Sequence, residues 1–468
     1  MKNYNYTFLL FICLVAALGG LLFGYDWVVI GGAKPFYELY FNISNTPSLQ
    51  GWAISSALIG CIIGAALAGF LADRFGRKRL LIMSALFFTI SAYGSGAAVH
   101  FNYFIIYRII GGVGIGMAST LSPMFIAEVT PPKTRGMFVS INQLTIVIGI
   151  LAAQITNMLI SESIPEEFSQ IQISHSWNGQ TGWRWMFWSE LIPACLFFIL
   201  MFFVPESPRF LIKKGKSDKA KSILTKVGGR TYADLESEKV EDTLNGNKPE
   251  VSFKEIFSKR SSTILSIGII LAVFQQWCGI NIIFNYAQEI FTAAGYNMND
   301  LFMNIVITGS INLVFTVIAM LSIDKIGRKK LMLYGAGSLS LVYLGIGSMY
   351  ALQVSGWPML ILVLLAIAAY AVSIAPVTWV IISEIFPNRF RGTAMAISTF
   401  SLWIASALLV QTFPLLNKNL GASGTFWVYG FICVLGFMFV YFRLPETKNK
   451  SLEEIEKSLF PKNPTKSS

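Results

Sequence analysis

Asp73-Arg74-Phe75-Gly76-Arg77-Lys78 and, 251 residues further on, Asp324-Lys325-Ile326-Gly327-Arg328-Lys329 are two copies of one pattern: an acid, a glycine turn and a basic run, set between long apolar stretches. The copy has company. Glu128 with Arg135 returns 256 residues later as Glu384 with Arg391, and Pro205-Glu206-Ser207 returns 240 later as Pro445-Glu446-Thr447. Three motifs recurring in one order at nearly one offset mark a chain built from two related halves.

Between these motifs lie apolar runs long enough to cross a hydrocarbon core of roughly 30 Å as helix. They fall at about 8–33, 51–71, 80–98, 103–128, 136–160 and 183–204, then 262–292, 301–323, 331–352, 357–384, 392–416 and 424–444. Composition agrees: 54% of residues are hydrophobic, only 13% are charged, and the mean hydropathy is +0.59, whereas soluble domains carry about 25% charge. A soluble enzyme is excluded. Only Lys2 precedes the first run, which exceeds signal-peptide length without a cleavage site, so it reads as a retained span. The expected fold class is an all-α membrane protein, with twelve transmembrane helices in two pseudo-symmetric six-helix bundles. The expected divisions are 1–204, a cytoplasmic helical linker at 205–261, 262–444, and a tail at 445–468. Two parallel halves with a site between them is the architecture of major facilitator transporters.

Of the 36 Lys and Arg, 32 lie before the first span, in the alternate loops on that same side, in the linker or in the tail, while the opposite loops hold only Lys34 and Lys418. The positive-inside rule then puts both termini in the cytoplasm. The formal charge of +11 is thus a topology signal, and nucleic acid is not an expected partner because the charge is spread over separate short loops.

Asp26, Arg108 and Glu190 remain inside the spans of the first half. Such a residue costs roughly 2.5–3.5 kcal/mol on insertion scales and usually marks function. Counted from the non-basic ends of their spans, at 1.5 Å per residue, all three lie about 8–11 Å deep and can meet. Two carboxylates and one guanidinium carry net −1, so the cluster can take up one proton and become neutral; a static ion pair that merely permits insertion is the plainer reading. The five cysteines, Cys13, Cys61, Cys195, Cys278 and Cys433, read as buried inert thiols without metal-ligand spacing. His100 and His175 fall in loops, so no histidine relay is expected. With no metal site, nucleotide loop or nucleophile–base pair, neither an enzyme nor a cofactor is expected.

The second half offers amides and an indole where lipid-facing residues should be apolar: Gln275, Gln276 and Asn281 in the seventh run, Asn312 in the eighth and Trp379 in the tenth, with Gln143 in the fifth. Amides donate and accept, matching hydroxyls that do the same, and an indole face packs on the C–H face of a sugar ring. A small neutral sugar fits. Inter-helix hydrogen bonding is the alternative for each residue taken singly.

Taken together, the stretches 20–26 (GLLFGYD), 122–128 (SPMFIAE), 182–187 (GWRWMF), 205–209 (PESPR), 275–281 (QQWCGIN), 383–392 (SEIFPNRFRG) and 445–448 (PETK) resemble the sugar porter family of the major facilitator superfamily. Within it, the chain is most similar to bacterial D-xylose:proton symporters. The resemblance implies Asp26 as proton acceptor, Arg108 as its partner and Glu190 as modulator, with the proton as coupling ion. It implies a sugar site at the polar residues just named together with Ile150 and Trp403. It also implies a cytoplasmic gate of Arg77, Glu128, Arg135, Arg328, Glu384 and Arg391, against the plainer reading that these charges only enforce topology. Ile150 stands where the xylose symporters have glutamine and Phe284 where they have leucine, both as in animal glucose transporters; Asn285, Leu402 and Ser406 match neither. The sequence therefore predicts a monomeric, multi-pass protein of a bacterial inner membrane, importing a monosaccharide of D-xylose or D-glucose type with protons. A facilitative uniporter and a non-transporting sensor are the alternatives.

Overall fold

Lipid offers no hydrogen-bond partner to the backbone, so an apolar segment in a bilayer must satisfy its own N–H and C=O groups, and helix does so within the segment. The computed structural model describes residues 4–132, 134–165, 167–245, 259–386 and 391–448, and among these it contains helices and no strand. The first half comprises α1 (Tyr6–Tyr40), α2 (Pro47–Phe75), α3 (Arg77–Ala97), α4 (Phe101–Val129), α5 (Arg135–Ile160), the short α6 (Gln170–His175), α7 (Trp183–Trp188) and α8 (Leu191–Met201). Then come α9 (Pro208–Lys213), α10 (Ser217–Gly228) and α11 (Arg230–Asn245). The second half comprises α12 (Lys259–Trp277), α13 (Ile280–Asn285), α14 (Ala287–Ala293), α15 (Met298–Ile326), α16 (Arg328–Ala351), α17 (Trp357–Val372), α18 (Ile374–Ile385) and α19 (Arg391–Arg443).

Among the described residues, eleven stretches are long and apolar enough to cross a membrane. The last, the 53-residue α19, breaks at Gly421, whose φ of 68° and ψ of 176° no helix accepts, so it supplies two spans. The chain divides into two compact units, Met1–Asn42 with Ser56–Glu162 and Phe168–Pro249, and Ile43–Ser55 with Ser163–Glu167 and Glu250–Ser468. In the first unit the helices cross on glycine. A Cβ on Gly24 would stand 1.9 Å from the Ile146 carbonyl oxygen and one on Gly149 2.0 Å from that of Leu21, so α1 and α5 touch backbone to backbone. Gly60 and Gly112 do the same for α2 and α4, at 2.1 Å from Ile109 O and 1.9 Å from Ala57 O. Membrane helices associate through such close packing because lipid supplies no hydrophobic drive between them.

Several expectations need correction. The first span runs on to Tyr40, so Lys34 lies inside a helix rather than in a loop, buried and paired with Glu38 at 2.8 Å. The sixth run divides at Ser189-Glu190 between α7 and α8, because Pro193 cannot donate to the Ser189 carbonyl. The seventh run breaks at Gly279, in the left-handed region at φ 86°, and again at Tyr286. The tenth breaks at Ser373, where Pro376 leaves Val372 without its helical donor. Cys195 is exposed, unlike the other four free thiols.

The linker is helical through α9–α11, where Leu211, Ile212 and Ala220 form a small core covered by Ile223 and Val240. The chain start docks on it: Asn5 N–H donates to Val227 O at 2.9 Å, and the Tyr4 ring meets Tyr232 edge-on at 5.5 Å. Burial pushes the Tyr232 phenol above its usual pKa. Residues 246–258 of the linker and 449–468 of the tail lie outside the described residues.

Candidate functional site

Three helical segments of the first half bring their charges together. Asp26 on α1, Arg108 on α4 and Glu190 at the α7–α8 junction are 0%, 2% and 1% exposed. Arg108 Nη1 donates to Asp26 Oδ1, and its guanidinium lies 5.8 Å from the centroid of the Phe187 ring. Glu190 feels the charge of both Asp26 and Arg108. Asp26 Oδ2, Arg108 Nε and Glu190 Oε1 are buried without a hydrogen-bond partner. The cluster is thus under-satisfied, and a group with unmet acceptors in a dry site has a place for a proton. Beside it, Tyr25 OH and Ser189 Oγ pair at 2.7 Å, tying α1 to the α7–α8 junction.

In the second half the amides gather at the two helix breaks. Gln275 Nε2 donates to Ala375 O at 3.0 Å, joining the end of α12 to the start of α18. Asn281 Nδ2 donates to Gln276 Oε1 at 2.5 Å, and Asn285 Nδ2 donates to Asn281 O at 2.9 Å, forming an amide ladder across the Gly279 break. Broken backbone at membrane depth is tolerated where protein buries it or a cavity adjoins it, and transporters use such breaks for ligand contact. The α12–α13 segment is anchored on α19 by Trp277 Nε1 to Ala405 O and Tyr286 OH to Val410 O, both 2.9 Å. Pro414 cannot donate to Val410, which frees that carbonyl for Tyr286. Asn312 and Trp403 are buried and Trp379 is 37% exposed. Gln275 Oε1, Asn285 Oδ1 and Ser406 Oγ are buried acceptors without a partner. Gln143 and Ile150 on α5 are half-buried in the other unit.

At the basic ends the repeat is visible in individual bonds. Arg77 Nη2 donates to Glu128 Oε1 at 2.9 Å, and Arg328 Nη2 to Glu384 Oε1 at 3.0 Å. Arg135 is exposed and pairs with no described carboxylate, while the Arg391 side chain lies outside the described residues. Sequence reasoning missed Glu206 and Glu446. Glu206 Oε1 accepts from the backbone N–H of Arg77 at 3.0 Å and Lys78 at 3.1 Å. Glu446 does likewise for Arg328 at 3.0 Å and Lys329 at 3.2 Å. Each acid caps a helix whose preceding glycine, Gly76 at φ 92° or Gly327 at φ 103°, offers no side chain, and a carboxylate is favoured at a helix N-terminus. The recurrence of Pro-Glu-Ser/Thr just after the last span of each half was the available signal.

A duplicated helical bundle with buried charge in one half and broken, amide-lined helices in the other defines a membrane transporter of the major facilitator class. The family model described as "Sugar (and other) transporter" matches residues 12–459, and the chain belongs to that family. It is 41% identical over 457 residues to the arabinose-proton symporter of Bacillus subtilis (strain 168), covering 97% of this chain and 96% of that protein. To the D-xylose-proton symporter of Escherichia coli (strain K12) it is 40% identical over 484 residues, covering 97% and 96%. Among solved structures it is similar to the inward-open conformation of the xylose transporter XylE from E. coli, with a TM-score of 0.83, 38% identity, and coverage of 96% of this chain and 99% of that one. The expected family and the twelve-helix fold are borne out by these likenesses.

Proposed function

We propose that this chain is a proton-coupled symporter that imports a neutral monosaccharide of D-xylose or D-glucose type by alternating access. It works as a monomer in a bacterial inner membrane with its basic ends and both termini in the cytoplasm. The observation that carries the reading is the buried Asp26–Arg108 pair with Glu190 beside it; the arabinose- and xylose-proton symporters among its relatives support it.

Asp26 takes the proton and releases Arg108, which Glu190 then holds, so the loaded cluster is neutral. Neutrality lowers the cost of reorienting the site through a dry intermediate. Gln275, Gln276, Asn281 and Asn312 bind sugar hydroxyls, Trp379 and Trp403 cover the ring, and Gln143 and Ile150 contribute from α5. Residues 1–204 and 262–444 are the two bundles, joined by the linker 205–261 and followed by the tail 445–468. Arg77, Glu128 and Arg135 with Arg328, Glu384 and Arg391 close the cytoplasmic side.

Asp26→Asn tests this in proteoliposomes. The amide mimics the protonated acid, so uphill accumulation driven by a pH gradient should vanish while exchange of internal for external sugar persists. Accumulation at the parent level in that variant would overturn the assignment, and pH-independent uptake by the parent would make it a uniporter.

A further inference from the structure

One face of α3 carries Ser84, Ser91 and Ser95, spaced seven and four residues apart, all at or below 2% exposure. Ser84 donates to Gly114 O on α4 at 2.8 Å and is accounted for. Ser91 is placed differently. A Cβ on Gly111, three residues beyond Arg108 on α4, would stand 2.3 Å from Ser91 Oγ and 2.9 Å from Asp26 Oδ2. The serine hydroxyl and the unpartnered oxygen of the carboxylate therefore both crowd the one point where a side chain at position 111 would begin, and only glycine leaves them that room. Asp26 Oδ1 is taken by Arg108, which leaves Oδ2 as the oxygen that must carry the proton.

A guanidinium only donates, whereas a hydroxyl donates and accepts. Arg108 can donate to an acceptor oxygen of either form, but it cannot accept the O–H of the protonated acid. We propose that Ser91 is the positioning residue for the Oδ2 side of Asp26, donating to the carboxylate when it is ionised and accepting its O–H when it is protonated. The inference rests on Asp26 being the coupling acid. The other titratable or charged groups near Asp26 are Arg108 from α4, Glu190 from the α7–α8 junction and the Cys61 thiol from α2, which feels both Asp26 and Arg108. Lys34 and Glu38 follow on α1 itself, two and three turns on, and pair with each other.

The test is the rate of gradient-driven sugar uptake against external pH, for the full chain in proteoliposomes, in the parent, Ser91→Ala, Ser91→Cys and Ser91→Thr. Hydrogen bonds to an ionised group are the stronger, so losing the hydroxyl costs the carboxylate more than the acid. The alkaline limb should move upward by roughly 0.5 to 1 pH unit in Ser91→Ala, by less in Ser91→Cys, and return to the parent position in Ser91→Thr, with sugar exchange within about twofold throughout. A Ser91→Ala midpoint equal to the parent's, or a displaced midpoint that threonine fails to restore, overturns the proposal. Asp26→Asn in the same assay separates the causes. If it abolishes accumulation while Ser91→Ala leaves the midpoint unchanged, only the serine role falls; if it accumulates sugar like the parent, the relay reading falls and takes Ser91 with it.

Discussion

At their basic ends the two halves share one arginine–glutamate tie and one glutamate cap each, and at mid-membrane they differ in charge. Among the described residues, every buried charged side chain belongs to the first half: Asp26, Lys34, Glu38, Arg77, Arg108 and Glu190. The second half buries amides without charge, Gln275, Gln276, Asn285, Asn304 and Asn312, whereas the first half buries its charges alongside Asn142, Gln154, Asn157 and Asn178. The two halves thus share the ties that cap and cross-link helices, while their centres differ in carrying charge. Even the ends are not equal. Glu128 uses both oxygens, on Arg77 and on Ser207 Oγ, whereas Glu384 Oε2 and the equivalent hydroxyl, Thr447 Oγ1, find no partner among the described residues. The side chains of the first pair are each 8% exposed and those of the second 13% and 24%.

The largest effect should come from breaking the equivalence of the ends. Glu128→Gln leaves Arg77 buried beside a neutral amide and should cost about 3 kcal/mol or more, while Glu384→Gln in the wetter, half-satisfied node should cost about 1 kcal/mol. Thermal unfolding of the purified proteins in one detergent compares them, and equal drops in Tm would show that the two nodes bear equal weight. The division of labour at mid-membrane is sharpened by Gln276→Ala and Trp379→Ala. Each should weaken sugar binding by roughly 1–3 kcal/mol, one by leaving hydroxyls unpaired and the other by removing ring contact. Isothermal titration with D-xylose and D-glucose reads this, and parent-like affinity in both folded variants would move the sugar away from these breaks. Smallest is the change that adds one more amide to α5. Ile150→Gln adds a hydrogen-bonding group at a half-buried position of α5 and should tilt the glucose-to-xylose affinity ratio toward xylose by about 0.5–1.5 kcal/mol. A ratio that stays put or moves toward glucose would transfer selectivity to Asn285, Leu402 and Ser406.

The duplication and the meeting of Asp26, Arg108 and Glu190 are legible because they rest on spacing: similar motifs at similar offsets, and three charges at one depth. The ends of α1 and the breaks in the later spans are not. Hydropathy averages over a window, so a single Gly279 or Pro376 inside an apolar run leaves the average unchanged while it ends a helix. Lys34 was assigned to a loop because charge was taken as the boundary, yet Glu38 lies one turn away and lets the lysine stay in the helix. The recurrence of Glu206 and Glu446 shows in the sequence, but their capping role does not, for a related reason. Their partners are backbone N–H groups, which every residue carries and no sequence motif displays. Of the residues expected at the sugar site, Gln275, Gln276 and Asn281 are tied by hydrogen bonds to the helix breaks, a geometry that their amide chemistry alone did not specify.

The Lys34–Glu38 pair bears on how the membrane voltage acts on α1. A unit charge moved through the full potential is worth about 2.3 kcal/mol per 100 mV, so an unpaired lysine would make any axial displacement of its helix do electrical work. Bonded to Glu38 at 2.8 Å, it moves as a small dipole with no net charge. Asp26 is the one other charged residue between Tyr6 and Tyr40. The field therefore grips this helix at Asp26, the proposed proton acceptor, and its pull switches off when that carboxylate is neutralised.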